Sequence, residues 1–243
     1  AMGRDAIATT HPVVQHVETV EQASQAFDAI TYQKGSAVIR MLEGYVGEDA
    51  WREGVRAYMK RHAYGNTKSD DLWQAVQDAS GKPILDIAHD FTLQPGIPLI
   101  RVESATCANG TTTLQLKQGE FTRDPPNKQS LTWRVPVIAQ TAGHEPARTV
   151  VQGGAGTLQV PGCGPVVLNA GQSGYYRTLY TREQFGQLRD GFAQLAPIDQ
   201  LGMMNDVWSL GMAGLQPASD YLDLAMRVPV GAGPEIWGGV ADS

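Results

Sequence analysis

The sequence has little of what would place it in a specialised class of protein. Its 243 residues include only two cysteines, which are too few for a disulfide scaffold. The 19 Lys and Arg are outnumbered by 25 Asp and Glu, and this balance argues against a nucleic-acid-binding protein, which concentrates basic residues against phosphates. No run of about 18 apolar residues occurs, so we expect no transmembrane helix. The remaining composition, 42% hydrophobic and 18% charged, is typical of a globular protein.

The two ends of the sequence do not resemble natural ends. The first five residues, AMGRD, contain no apolar stretch of the kind a signal peptide needs, and they do not resemble an initiation site. At the other end only three residues follow Val240. We therefore expect the chain to be a piece of a longer protein.

The two cysteines leave two interpretations open. Cys107 and Cys163 both flank predicted turns in the same region of the chain. They are either two unpaired, partly buried thiols or a single disulfide of an exported protein. A disulfide would favour a periplasmic or secreted location, and free thiols would favour the cytoplasm.

The hydrophobic period changes twice along the chain. Up to about residue 96, apolar residues recur at the spacing of amphipathic helices. From about residue 97 the period is two, and Asn109-Gly110 between two strand-like runs predicts a β-hairpin. Short strands with intervening turns, and a loop at 124–128, predict a β-sandwich of about seven strands. After about residue 180 the helical period returns, and Thr181 and Gln184 have the spacing of a capping box.

No complete active site can be recognised from residue spacing alone. A zinc-protease helix needs His-Glu-x-x-His, and the nearest stretch, HEPAR at 144–148, ends in Arg and contains a proline. No Gly-x-Ser-x-Gly elbow is present, and the glycines at 153–156 lie between predicted strands without a following helix.

One stretch is more specific. Residues 27–42, FDAITYQKGSAVIRML, resemble the segment that follows the zinc site in the aminopeptidase N family of thermolysin-like zinc metallopeptidases. The likeness continues upstream in TTHPV at 9–13 and downstream in QPGIP at 94–98, WRVPV at 133–137 and GYYR at 174–177. It covers essentially the whole chain and is most specific between residues 27 and 73.

The resemblance implies a multidomain α and β architecture. Residues 1–97 would be the helical end of the catalytic domain, residues 98–179 an all-β sandwich domain, and residues 180–243 the beginning of a truncated C-terminal helical domain. The family's zinc motif, its third zinc ligand and the segment that binds the substrate's amine would all lie upstream of residue 1. No metal-binding residue is therefore expected in this chain, and zinc would belong to the intact enzyme.

Two functional residues follow from the resemblance. Tyr32, two residues before the Lys-Gly pair, matches the family's catalytic tyrosine, whose hydroxyl donates to the oxyanion formed when the peptide carbonyl is attacked. Phe27 matches a position that lines the substrate pocket. Three further interpretations are structural. Lys34 is expected on a helix surface, Asp28 as a helix cap or ion-pair partner, and residues 175–177 as strand residues that pack the sandwich onto the helices.

The sequence thus predicts a fragment of a zinc-dependent aminopeptidase that removes N-terminal residues from peptides, inactive on its own. The alternative is a non-catalytic β-sandwich and helical module that binds a peptide or protein. Peptide is the expected partner and nucleic acid is not, while the oligomeric state is left open.

Overall fold

The computed structural model describes residues 1–124 and 130–241. Most of the predicted loop at 124–128 therefore lies outside the described residues. Up to residue 96 the described chain is helical, as its 3.6-residue period predicts. Its helices are α1 (Met2–Asp5), α2 (Val20–Gln25), a π-helix (Ile30–Lys34), α3 (Gly35–Val46), α4 (Glu48–Arg61), α5 (Ser69–Ser80) and α6 (Ile84–Thr92).

The apolar faces of these helices point into the core. Val38, Met41 and Leu42 of α3 are almost completely buried, in agreement with their helical spacing. Helices α4 and α5 approach each other closely at Gly54. A Cβ atom on Gly54 would lie 2.7 Å from the Cα atom of Val76, so only glycine allows this contact.

The strands begin at residue 97 and form two sheets. They are β1 (Ile97–Ala108), β2 (Thr111–Phe121), β3 (Val135–Thr141), β4 (Ala147–Val151), β5 (Ala155–Pro161), β6 (Val166–Leu168) and β7 (Arg177–Leu179). The first sheet has the order β5-β2-β1-β7, with β7 parallel to β1, and the second has the order β4-β3-β6. Mixed helix and sheet with two sheets agrees with the predicted class, whereas the assignment of segments to named domains stays a prediction.

The predicted hairpin is confirmed at Asn109-Gly110. Ala108 pairs directly with Thr111, so the turn has two residues. Asn109 has φ 51° and Gly110 has φ 76°, which is the left-handed backbone that a tight hairpin of this type requires. Of the two interpretations of the cysteines, the structure has the bonded one, because Cys107 and Cys163 form a disulfide.

The two sheets and the first helices share one hydrophobic core. Ile87 and Phe91 of α6 pack in the same cluster as Leu116 of β2 and Val137 of β3. Val38 and Met41 of α3 belong to the same cluster, so the helix that carries the end of the segment at 27–42 also packs on the sheets.

A second, smaller core is formed by the last helices. These are α7 (Arg182–Asp190), a short 3-10 turn (Phe192–Gln194), α8 (Pro197–Met212), α9 (Ser219–Ala225) and α10 (Pro234–Ala241). Thr181 caps α7, because its hydroxyl accepts a hydrogen bond from the Gln184 amide. The predicted capping box is wrong in its other half, since the buried Oε1 of Gln184 has no partner. Within the described part of the chain, every helix is too short or too polar to cross a membrane.

Candidate active site

Tyr32 and Phe27 lie side by side on the surface. Tyr32 is in the π-helix (Ile30–Lys34), a wide turn that runs directly into α3. Its side chain is exposed by 59% and that of Phe27 by 69%, and the two ring centroids are 6.0 Å apart. Single π-helical turns within helices occur frequently at functional sites. The structure thus brings together the two site residues that the sequence predicts.

Asp28 holds the beginning of this turn. Its Oδ1 atom accepts hydrogen bonds from the amides of Ile30 and Thr31, both at 2.9 Å. Its backbone carbonyl accepts from the Tyr32 amide at 3.1 Å. Asp28 is therefore a helix cap, as expected, because it satisfies amides that have no partner within the helix.

His11 completes the cap from a separate segment. Its Nε2 atom lies 2.8 Å from Oδ2 of Asp28, and its Nδ1 atom lies 2.8 Å from the Pro12 carbonyl oxygen. Burial by itself lowers the pKa of His11, but the Pro12 carbonyl and the carboxylates of Asp28 and Asp5 outweigh it, so this pKa is raised above 6.5. Burial acts to raise the pKa of Asp28, yet hydrogen bonds from the Thr31 amide and His11 bring it below its usual value. Both shifts favour the charged pair.

The expectation for Lys34 is wrong. Its side chain is completely buried rather than on a helix surface, and its Nζ atom is 2.9 Å from Oδ2 of the equally buried Asp5. Nζ also donates to the carbonyl oxygens of Gln94 at 3.2 Å and Gly96 at 3.0 Å. The side chain lies on the same buried face as Val38 and Met41, and an acidic residue and two carbonyls accept from its three N–H groups. Burial lowers the pKa of Lys34, and the charge of Asp5 opposes that change.

Asp5 is the centre of this buried cluster. Besides Lys34, it accepts from the hydroxyl of Thr10, from the amide of Gly96 at 2.9 Å and from the hydroxyl of Tyr175 at 3.0 Å. Burial and the nearby Asp5 carboxylate raise the pKa of Tyr175, which keeps its phenol as a donor. The Asp5 cluster, meaning Asp5, Lys34, Thr10, Gly96 and Tyr175, therefore connects α1, the end of the π-helix, the 94–96 loop and the segment before β7.

The predicted packing role of residues 175–177 agrees with this arrangement. Tyr175 and Tyr176 are buried, and Tyr175 reaches Asp5 of the helical part. Their predicted place in a strand is wrong, because β7 begins only at Arg177. Arg177, at the start of β7, pairs with Asp206 of α8 at 3.0 Å.

The described residues do not fit a zinc centre. Among residues 1–124 and 130–241, no three His, Cys, Asp or Glu side chains are placed to hold one metal ion. His11 has both ring nitrogens engaged by oxygen atoms, so neither lone pair faces an open position.

Comparison with known proteins identifies the family of the chain. Residues 1–91 match the model of the peptidase family M1 domain, and residues 165–235 match that of the ERAP1-like C-terminal domain. The chain belongs to peptidase family M1. The M1 match includes Phe27, Tyr32 and the cap residues His11 and Asp28.

Among the curated proteins, the relatives of this M1 chain are much longer than it is. The Tricorn protease-interacting factor F2 of Thermoplasma acidophilum is 29% identical over 91% of this chain and 27% of its own length. Aminopeptidase 2 of Candida albicans is 31% identical over 92% of this chain and 24% of its own length. The leucyl aminopeptidase of Saccharolobus solfataricus is 28% identical over 91% of this chain and 27% of its own length. The chain thus spans about a quarter of the length of these relatives.

Sequence reasoning missed the Asp5 cluster of this M1 chain. The signal was weak, because a lysine followed by glycine at a helix start is ordinarily solvated. A buried lysine is recognised only when its partner is known, and Asp5 lies 29 positions earlier in the sequence.

Proposed function

We propose that this M1 chain forms part of an aminopeptidase and contributes a catalytic residue, Tyr32. The chemistry comes from the family resemblance, and two relatives carry the name aminopeptidase. The observation that carries the proposal is the exposed Tyr32 side chain on a turn held at both ends. Asp28 caps its beginning, and Lys34 is fixed by the Asp5 cluster at its end.

In this proposal the Tyr32 hydroxyl stabilises the transition state. When water attacks the carbonyl carbon of an N-terminal peptide bond, the carbonyl oxygen gains negative charge. The phenol hydroxyl donates a hydrogen bond to that oxygen and keeps its proton throughout. A preorganised donor lowers the activation barrier of the attack, because it needs no reorientation as the charge develops.

Phe27 is proposed to bind the substrate. Its largely exposed ring lies next to Tyr32, so an apolar part of the peptide at the reacting bond would cover it. Removing the ring in Phe27→Ala is expected to weaken transition-state binding through lost apolar contact.

Zinc is the cofactor that the family resemblance implies for the intact enzyme. Since the described residues do not fit a zinc centre, we infer that its ligands lie elsewhere in the longer protein. The purified 243-residue chain is then expected to bind no stoichiometric zinc and to hydrolyse no aminoacyl anilide. Hydrolysis by this chain, with metal bound in a 1:1 ratio, would contradict the proposal.

The location that we propose is the periplasm or the extracellular space. The disulfide between Cys107 and Cys163 supports it, because such bonds persist mainly in oxidising compartments. Alkylation of free thiols at harvest, followed by mass spectrometry, tests this. Full labelling of both cysteines in freshly isolated protein would favour the cytoplasm instead.

The decisive experiment is Tyr32→Phe in the intact aminopeptidase. The variant removes one hydroxyl, and turnover of an aminoacyl anilide should fall by about 10²–10³-fold. Zinc content should not change, because Tyr32 acts on the transition state and is not a ligand. The matched control is Tyr64→Phe, since Tyr64 is fully exposed after α4 and should leave turnover unaltered. Turnover near that of the wild type in Tyr32→Phe would end the assignment.

A further inference from the structure

Both ring nitrogens of His11 face acceptor oxygens beside the Tyr32 turn. The Pro12 carbonyl and the ionised Asp28 carboxylate can both accept hydrogen bonds, and neither can donate one. A neutral imidazole has a single N–H and can satisfy only one of them. Both contacts, each at 2.8 Å, therefore require the doubly protonated imidazolium.

Asp28 connects His11 to the Tyr32 turn. One carboxylate oxygen of Asp28 accepts from His11, and the other accepts from the amides of Ile30 and Thr31. The carbonyl of the same residue accepts from the Tyr32 amide. Asp28 thus contacts three successive residues of the turn, and His11 sets the orientation of its carboxylate.

We propose that His11 and Asp28 are positioning residues for Tyr32, with the charged imidazole locking the cap that aims the phenol hydroxyl. This rests on the proposed catalytic role of Tyr32. The pair touches no reacting atom in this scheme and acts on turnover only through the placement of the turn. Small displacements of a catalytic group are costly, because about 1 Å of misplacement can reduce a rate by about 10²-fold.

The charged groups around His11 give the pH dependence its sign. The carboxylates of Asp28 and Asp5 both act to raise the pKa of His11, and Lys34 is paired with Asp5. The pKa of His11 is raised, so the locked cap is complete below pH 6.5 and is lost as the pH rises through the higher value of the folded protein. Turnover should therefore decline on the alkaline side of that value.

The test is a double-variant cycle in the intact aminopeptidase. His11→Gln keeps a polar group of similar reach but cannot carry the charge, and it should lower kcat by about 10-fold with little change in KM. It should also remove the alkaline decline contributed by His11. In the Tyr32→Phe background, His11→Gln should change kcat by less than about twofold, because a positioning residue has nothing left to position. The control is His16→Gln, since His16 is exposed by 87% and pairs only with Glu18.

The outcomes separate this inference from the proposed function. If Tyr32→Phe leaves kcat unaltered, the proposed function fails. If Tyr32→Phe is slow but His11→Gln lowers kcat equally in both backgrounds, the positioning role fails while the proposed function stands. Hydrogen exchange adds a readout independent of activity, because amides 30–32 should exchange faster in Asp28→Ala and in His11→Gln than in His16→Gln. Unaltered exchange in both variants would overturn the positioning role.

Discussion

Replacing Lys34 by methionine tests how much the buried ion pair between Lys34 and Asp5 contributes to the stability of the protein. The side chains of Lys34 and Asp5 are both completely inaccessible to solvent. Methionine has nearly the volume of the lysine stem, so Lys34→Met removes the charge without opening a cavity. What remains is a buried carboxylate with no counter-charge.

The magnitude follows from what each group loses. Removing one partner of a buried ion pair typically costs about 3–5 kcal/mol. Asp5 would keep donors from Thr10, Gly96 and Tyr175, which favours the lower end of that range. The carbonyls of Gln94 and Gly96 would lose their donor, and each such loss costs about 1 kcal/mol or more. We therefore expect the free energy of unfolding to fall by about 3–5 kcal/mol.

Urea unfolding followed by circular dichroism measures this change. The matched control is Lys60→Met, because Lys60 is an exposed helical lysine of α4 and should change stability by less than about 0.5 kcal/mol. The double variant Lys34→Met/Asp5→Asn should be more stable than Lys34→Met alone, since it leaves no buried charge unpaired. The reasoning is refuted if Lys34→Met unfolds like Lys60→Met, or if adding Asp5→Asn lowers stability further.

Two further predictions concern the framework around the site. Gly54→Ala should destabilise the protein by about 1–3 kcal/mol, because its Cβ would press on the backbone of Val76. The control is Gly186→Ala in α7, where a Cβ atom would have nothing within 4 Å. This change should stabilise the protein by up to about 1 kcal/mol, because alanine has the higher helix propensity. Thermal unfolding measures both variants, and a change in stability of the same sign for both would contradict the close contact of α4 and α5. Replacing Cys107 and Cys163 together by alanine should cost about 4 kcal/mol, since their bond closes a loop with a sequence separation of 56. Urea midpoints with and without reductant measure it, and a wild-type protein that is insensitive to reductant would contradict this value.

Much of the fold can be predicted because it is recorded in local patterns. The face of α3 and the turn at Asn109-Gly110 depend on neighbouring residues, and both agree with the structure. Local rules fail where a competing partner is available nearby. Serine is a favoured N-cap residue, yet Ser69 is the first helical residue of α5, and the carboxylate of Asp71 accepts from the Lys68 amide at 2.8 Å.

In the candidate site, too, local contacts can be predicted from the sequence and distant ones cannot. Asp28 can be predicted as a cap because the amides it binds are two and three positions away. The pairing of His11 with Asp28 spans 17 positions, and no periodicity encodes a contact between two irregular segments. Lys34 lies four positions before Val38 and so on the buried face of α3, but no local rule pairs a lysine on that face with a carboxylate 29 positions earlier.

The Asp5 cluster also joins segments of the chain that are far apart in sequence. Asp5 bonds to Gly96 across 91 positions and to Tyr175 across 170. Separating the Tyr32 turn from the segment before β7 would expose the buried ion pair or leave one of its charges without a partner. The free-energy cost of that change exceeds what a single surface ion pair contributes to stability. The buried contacts of Asp5 therefore join α1, the end of the Tyr32 turn, the 94–96 loop and the segment before β7. The turn that carries the candidate catalytic hydroxyl is thus held at Lys34 by residues distant in sequence, because Asp5 bonds both to Lys34 and to Tyr175 beside β7.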